Sequence, residues 1–505
     1  MAAAAAVPAE PRWMEQLVDH FSARTETFRQ RYYVNETYFA GPGSPLFVIL
    51  GGEGAIPPET GIFYPWVVDV LAKRYGALVL EPEHRYYGES LPLGQASLLP
   101  SGLRLLSSQQ ALADAAAFVR AQQALRGCTA RGTPGYCPVL TIGGSYPGFL
   151  SAMMRLRYPA VVDMAYAASA PMKFYSQEVS QEAYYARVAA SAERALPGCP
   201  AAVRRAFDAF EDFWPSATLE QLAESFSVCR PLPGNSSTSK EQLADNLLFL
   251  AEQTFANLNM ANYPPGNTTS LYRVCRSFAE AQEQGGSAPL DALRALLLSQ
   301  AARGALSSGR ALLRDLEPAA GAAQGCFDLA AQLPAGPAAT ARCGDWSGCG
   351  AGQSGLMWDY QTCTFEVEHI GFQGGAGMFP PRPWTMEWLR SHCARRFGVT
   401  PQPRALAGLW GFDEAGLRAQ ASRIVFTNGL NDGWSVGGIL TDLAPEKGLL
   451  AINLPNGAHH SDLSGAFLAG GETADVAAAH QRIVELVGQW LQEVREEGSA
   501  AEVLI

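Results

Sequence analysis

The sequence predicts an α/β fold, a largely parallel sheet with helices on both faces, interrupted by a large and mainly helical insertion. Three observations carry this expectation. Strand-like and helix-like segments alternate from Thr27 to Pro171, helical and cysteine-bearing patterns take over from 174 to 412, and strand signals return in RIVFTN and LLAINL. Alternation of β with α means parallel strands joined by crossover helices. The expected organisation is therefore a sheet domain in two parts, 1–173 and 413–505, around an insertion over 174–412.

The elements follow in order. FRQRYYVNETYF and LFVIL are rich in β-branched and aromatic residues and read as strands, WVVDVLAKRY has helical spacing, and ALVLEPEHRYYGES is a strand running into a turn. Ser107 and Ser108 offer a cap for QQALADAAAFVRAQQAL, and PVLTI is the next strand. It runs through Gly143 and Gly144 into Ser145 and at once into the helical pattern YPGFLSAMMRLRYP. VVDMAYAASAP closes the first part. EAYYARVAASAERAL and the leucine periodicity of 290–313 read as helices of the insertion, and VAAAHQRIVELVGQWLQEV ends the chain as an amphipathic helix.

With 505 residues the chain exceeds one compact core, and 48% apolar residues make it globular. The formal charge of −11 argues against nucleic acid or an anionic membrane as partner, because both attract basic surface. No run is long and apolar enough to span a bilayer. Ten cysteines between Cys128 and Cys393 lack the paired spacing of a zinc site and favour disulfides, with Cys128 near Cys137 and Cys343 near Cys349. Sequons at Asn35, Asn235 and Asn267 fit passage through the secretory route. MAAAAAVPAEPRW has no basic n-region and too short an apolar stretch, so no signal peptide is evident.

Ser145 carries the chemistry. A strand, a sharp turn with one serine and a helix form a nucleophile elbow, which lifts the hydroxyl clear of the sheet and aims helix N–H groups at a developing oxyanion. The strict GxSxG pattern lies elsewhere, at Gly433 to Gly437 around Ser435. Ser435 is separated from its strand by NGLND, whereas Ser145 follows its strand directly and Pro147 falls in the first helical turn, where a missing N–H is tolerated. The Tyr146 N–H is the expected oxyanion donor. A second should come from the loop Gly51 to Gly54, where the residues leave Gly52, Glu53 and Gly54 open. Asp432 follows RIVFTN and suits a buried acid that orients a histidine; spacing alone does not separate His459 from His460. The order Ser, Asp, His is that of an α/β-hydrolase serine enzyme. GAGQSG at Gly350 to Gly355 matches a dinucleotide fingerprint by letters but follows a cysteine-rich loop instead of a strand, and neither a P-loop nor HExxH is present. Nothing asks for a cofactor or a metal.

VDHF near Asp19, LFVILGGEGAI, EPEHRYYGESLP, SSQQALADAA, GGSYPGFLSAMMRLRYP, AASAP, NLNMANYP, WDYQTCT, FGVTPQPR, IVFTNGLNDGW and GAHHSDL run in order over nearly the whole chain. Together they resemble the lysosomal Pro-X carboxypeptidase and dipeptidyl peptidase II group of serine exopeptidases. The resemblance implies Ser145, Asp432 and His459 as the triad, an α/β-hydrolase fold with a helical cap, glycans, and a lysosomal, vacuolar or extracellular location. It selects His459 over His460; in the loop, Gly52 is taken as the second donor. Gly433 replaces a proline common in the group, and Pro147 a small residue; both could reshape a proline pocket near Phe149 and Trp434. CGDWSGCG resembles the short disulfide loop whose aspartate, here Asp345, receives a substrate amine, so the expected activity is release of N-terminal dipeptides with proline or a small residue second. The alternative is removal of a C-terminal residue after proline. A lipase would share the triad but not the other motifs, and an inactive binding protein would need a triad that fails to assemble. The expected partners are peptides with free termini, and a homodimer is an open arrangement.

Overall fold

Eight strands form one sheet: β1 (Arg12–Leu17), β2 (Thr27–Asn35), β3 (Leu46–Ile49), β4 (Leu78–Pro82), β5 (Val139–Gly144), β6 (Met164–Ala168), β7 (Ile424–Gly429) and β8 (Leu449–Leu454). Their order is β1-β2-β4-β3-β5-β6-β7-β8. β1 pairs antiparallel with β2 and β2 with β4, and every other pairing is parallel. The sheet is thus mixed at one edge. The computed structural model describes residues 10–59, 61–229, 238–304, 326, 328–333, 342–372, 377–465 and 470–502.

Strands β3 to β7 are buried along their whole length. That is the burial of a parallel sheet covered on both faces. On one face Phe47, Ile49, Leu140, Ile142, Tyr166 and Val425 pack with Trp66 to Ala72 and with Ile483, Leu486, Trp490 and Val494 of the C-terminal helix. Thr141, between Leu140 and Ile142, turns its side chain to the helix Tyr146–Arg157, where Ser151 Oγ donates to Thr141 Oγ1 at 3.1 Å. Ser107 caps the helix Ser108–Leu125 by accepting from the Gln110 N–H at 3.3 Å.

The chain divides into two compact units, Met1–Glu178 with Arg404–Leu430 and Gly437–Ile505, and Val179–Pro403 with Asn431–Val436. The stretches 174–178 and 404–412 therefore group with the sheet, and the six residues after Leu430 group with the helical unit. The helical unit contains Ala183–Ala195, Cys199–Phe213, Lys240–Met260, Ser270–Gln284, Ala288–Gly304, Gly352–Thr362 and Met386–Phe397. Ser239, Thr269 and Thr385 cap three of these by accepting backbone N–H groups. Val203, Phe207 and Phe210 are buried along one stripe of Cys199–Phe213, at the spacing an amphipathic helix requires.

All ten cysteines pair: Cys128–Cys137 in the sheet unit, and Cys199–Cys275, Cys229–Cys326, Cys343–Cys349 and Cys363–Cys393 in the helical one. Disulfides of this number belong to an oxidising compartment. Asn35 ends β2 partly exposed and Asn267 is exposed, while Asn235 lies outside the described residues. The GAGQSG stretch opens the helix Gly352–Thr362 and, among the described residues before it, follows no strand, so its glycines do not sit in a βα turn. Among the described residues, no helix is long and apolar enough to cross a membrane.

Candidate active site

Ser145 stands between β5 and the helix Tyr146–Arg157 with φ 66° and ψ −133°. A β-carbon makes this backbone cost about 1–3 kcal/mol, a strain that persists where the surroundings enforce it. Here they do, because the Ser145 N–H is held by the Ala168 carbonyl at 2.9 Å and the Ser145 carbonyl accepts from Phe149 N at 3.1 Å. The result is selective exposure. From Cys137 to Leu156 every residue is buried except Ser145.

Close packing explains the glycines around it. A β-carbon on Gly144 would lie 2.7 Å from Cγ of His460, and one on Gly52 would lie 2.7 Å from Cγ of Pro147. The Gly51 to Gly54 loop thus rests on the first turn after the nucleophile, where an N–H donor is needed. Pro147 occupies that first turn, where it removes no intrahelical bond. Glu53 on the same loop has its carboxyl pushed up by desolvation, with the charge of His459 opposing the shift.

The Tyr146 side chain is anchored by His84 and Ser108, to which sequence patterns assign no place in the site. His84 Nδ1 lies 2.7 Å from the Arg85 carbonyl, which can only accept, so Nδ1 carries the proton and Nε2 is the acceptor. The Tyr146 hydroxyl lies 3.1 Å from that Nε2 and 3.2 Å from Ser108 Oγ. Burial pushes His84 down to about 4, which keeps it neutral and fixes this tautomer. Arg85 is itself locked, forking onto Asp114 through Nε at 2.6 Å and Nη2 at 2.7 Å. His84→Ala should therefore cost about 1 kcal/mol or more of stability by removing one of the hydrogen-bond partners of the buried Tyr146 hydroxyl, measured by denaturant unfolding; an unchanged midpoint would count against the anchor.

His459 and His460 follow β8 on a turn, their ring centroids 4.5 Å apart. His460 has φ 35°, donates its N–H to Ser169 Oγ at 2.9 Å and turns its ring to Gly144 and, edge-on at 6.1 Å, to Tyr64. Desolvation first and His459 second push His460 down to about 3. A base so weak is a poor proton acceptor near neutral pH. His459 remains the better candidate.

Asp432 is fully buried, and its Oδ1 accepts from Trp434 N at 3.1 Å. Its backbone carbonyl accepts from Ser435 N at 3.1 Å and from Ser435 Oγ at 2.7 Å. Ser435 is 1% exposed, so the serine of the strict GxSxG pattern is a buried turn residue committed to a carbonyl. Gly433 donates its N–H to Asn259 Oδ1 at 2.7 Å, a bond a proline could not make.

The three expected substrate contacts differ in character. Phe149 is fully buried and packs on Tyr175, Trp410 and Phe412, with ring centroids at 4.8, 6.2 and 5.1 Å. Trp434 packs edge-on against Tyr184 at 4.9 Å and directs its indole N–H to Met260 Sδ at 3.3 Å. Asp345 is 0% exposed and its Oδ1 already accepts from Ser347 N at 2.5 Å. Desolvation raises it to about 6, against hydrogen bonds from Ser347 and the Glu368 side chain that lower it. Cys343, Cys349 and Asp359, and Asp359, Cys363 and His392, come close enough to suggest metal sites, but every sulfur among them is in a disulfide and offers no thiolate.

A mostly parallel sheet and a partly exposed serine at a strained strand-to-helix turn are the architecture of a serine hydrolase of the α/β-hydrolase fold. The chain belongs to the family described as Serine carboxypeptidase S28, whose profile matches residues 16–299 and 333–483, and it is a serine peptidase. It is 32% identical over 457 residues to the lysosomal Pro-X carboxypeptidase of Mus musculus, covering 89% of this chain and 83% of the relative. To the human protein of that name it is 31% identical over 459 residues, covering 89% and 82%. To the thymus-specific serine protease of Mus musculus it is 30% identical over 506 residues, covering 96% and 88%.

Proposed function

We propose that this chain is a serine exopeptidase that removes a C-terminal residue following proline, with Ser145 as nucleophile, His459 as general base, Asp432 orienting the histidine, and the N–H groups of Tyr146 and Gly52 receiving the oxyanion. Ser145 Oγ attacks the scissile carbonyl as its proton passes to His459; the C–N bond breaks as His459 returns that proton to the leaving amine. Water, deprotonated by the same imidazole, then hydrolyses the acyl ester. The strained, partly exposed Ser145 in an otherwise buried run supports the nucleophile. The direction of cleavage rests on relatives named lysosomal Pro-X carboxypeptidase, as does a lysosomal or secreted location with glycans on Asn35 and Asn267.

Release of N-terminal dipeptides is the second reading, favoured by the carboxyl of Asp345 in the Cys343–Cys349 loop. The two readings make opposite demands on that group. Below about pH 6 Asp345 holds its proton, and a neutral carboxyl donates to a substrate carboxylate instead of repelling it; above that pH the anion suits an ammonium. A short peptide with proline at its second and penultimate positions, followed by mass spectrometry, decides between loss of one C-terminal residue and loss of a dipeptide. Asp345→Asn should leave C-terminal cleavage at pH 5 within about threefold, because an amide resembles the protonated acid. If Asp345 instead anchors an amine, that variant should lose about ten- to a hundredfold in kcat/KM on dipeptide release at pH 7, the worth of a charge-assisted hydrogen bond.

A further inference from the structure

The loop that carries Asp432 is held from both sides by one side chain. Asn259, the penultimate residue of the helix Lys240–Met260, is 0% exposed. Its Nδ2 donates to the Asn431 carbonyl at 2.5 Å and its Oδ1 accepts from the Gly433 N–H at 2.7 Å. These are the residues immediately before and after Asp432. Ser191 Oγ adds a second donor to the Asn431 carbonyl at 2.6 Å, and Arg194 Nη1 reaches Asn431 Oδ1 at 3.0 Å. On the far side of Gly433 a β-carbon would lie 2.7 Å from Cε2 of Tyr184, so the backbone is pressed against that ring as well as bonded to the amide.

We infer that Asn259 is a positioning residue for the triad acid, its amide clamping the peptide groups on either side of Asp432 so that the carboxylate is held in one orientation. The inference rests on Asp432 serving as that acid. A primary amide offers a donor and an acceptor in one rigid plane, which is what a carbonyl and an N–H two residues apart require. Hydroxyl, alkyl and carboxylate side chains each meet at most one of these demands without rearrangement. The clamp also gives a reason why 431–436 groups with the helical unit: Asn431 and Gly433 are bonded to side chains of its helices. NLNMANYP, which contains Asn259, thereby acquires a role. An acid that merely sits near a histidine gives little; one held at the productive angle fixes the tautomer throughout the cycle.

The test is a double-mutant cycle on the full chain, reading kcat and KM separately on one short proline peptide. Asn259→Ala should lower kcat by about ten- to fiftyfold with KM changed less than about twofold, and on an Asp432→Asn background it should change the residual kcat by less than about twofold. An equal loss on both backgrounds, or no loss in the single variant, overturns the inference. Asp432→Asn retaining near-normal turnover sinks the acid assignment itself, a separate outcome read from the single variant. Should Asn259→Ala fail to fold, Asn259→Asp serves in its place. It keeps the acceptor for the Gly433 N–H but sets an oxygen against the Asn431 carbonyl, so the same background dependence is expected with a smaller loss above its pKa and recovery below it. A loss in Asn259→Asp that ignores both pH and the Asp432 background overturns the inference equally.

Discussion

Ser145→Ala should reduce turnover by about four to six orders of magnitude and abolish covalent labelling by a fluorophosphonate, while Ser435→Ala keeps its label. The contrast follows from where each hydroxyl goes. Ser145 is the one residue of its run that is not buried, on a backbone with φ 66° that a turn would normally give to glycine. Ser435 gives its hydroxyl to the Asp432 carbonyl at 2.7 Å and is 1% exposed. Removing that bond should cost about 1 kcal/mol of stability, since the Ser435 N–H continues to serve the same carbonyl. Some loss of rate in Ser435→Ala is expected through the acid loop, but loss of labelling is not. Labelling that survives in Ser145→Ala and disappears in Ser435→Ala would falsify the nucleophile assignment.

How much of this was legible in the sequence depends on how local each feature is. The elbow is written in consecutive residues, since an apolar strand, two glycines, a serine and a helical pattern leave little freedom, and Ser107 as a cap is equally local. The short Cys128–Cys137 and Cys343–Cys349 bridges are suggested by proximity alone, whereas Cys199–Cys275, Cys229–Cys326 and Cys363–Cys393 need the fold. β1 was missed because RWMEQL mixes polar and apolar residues without clean alternation, as an edge strand with one buried residue can. The full burial of Phe149 is not visible in a residue type. The His84–Tyr146 contact and the grip of Asn259 on Asn431 join positions 62 and 172 apart, and nothing in either neighbourhood encodes the other. The loop of Asp432 follows a sheet strand in sequence but is bonded by helices of the insertion, and a boundary drawn from element type has no access to those contacts.

His459→Ala should lose about four orders of magnitude in kcat, whereas His460→Asn should stay within about tenfold of the parent and keep the acid limb of the kcat/KM profile. Asparagine is the variant of choice because it tolerates the left-handed backbone, φ 35°, that residue 460 adopts. The rate must fall on acidification, because the base has to be neutral to take the serine proton and protonation removes it. His460 cannot supply that limb: with its imidazole held down to about 3 it stays neutral through the range where the enzyme is assayed. It should instead show in stability. Its pKa is lower folded than the ordinary 6.5, so on acidification the unfolded chain takes up a proton that the folded one refuses, and stability is lost progressively from about pH 6.5 down toward pH 3. The Tm of the parent should therefore drop more between pH 7 and pH 5 than that of His460→Asn, while the acid limbs of their rate profiles coincide. If His460→Asn instead abolishes turnover and His459→Ala is well tolerated, the two rings have exchanged roles and the proton path must be redrawn through the ring that packs on Gly144.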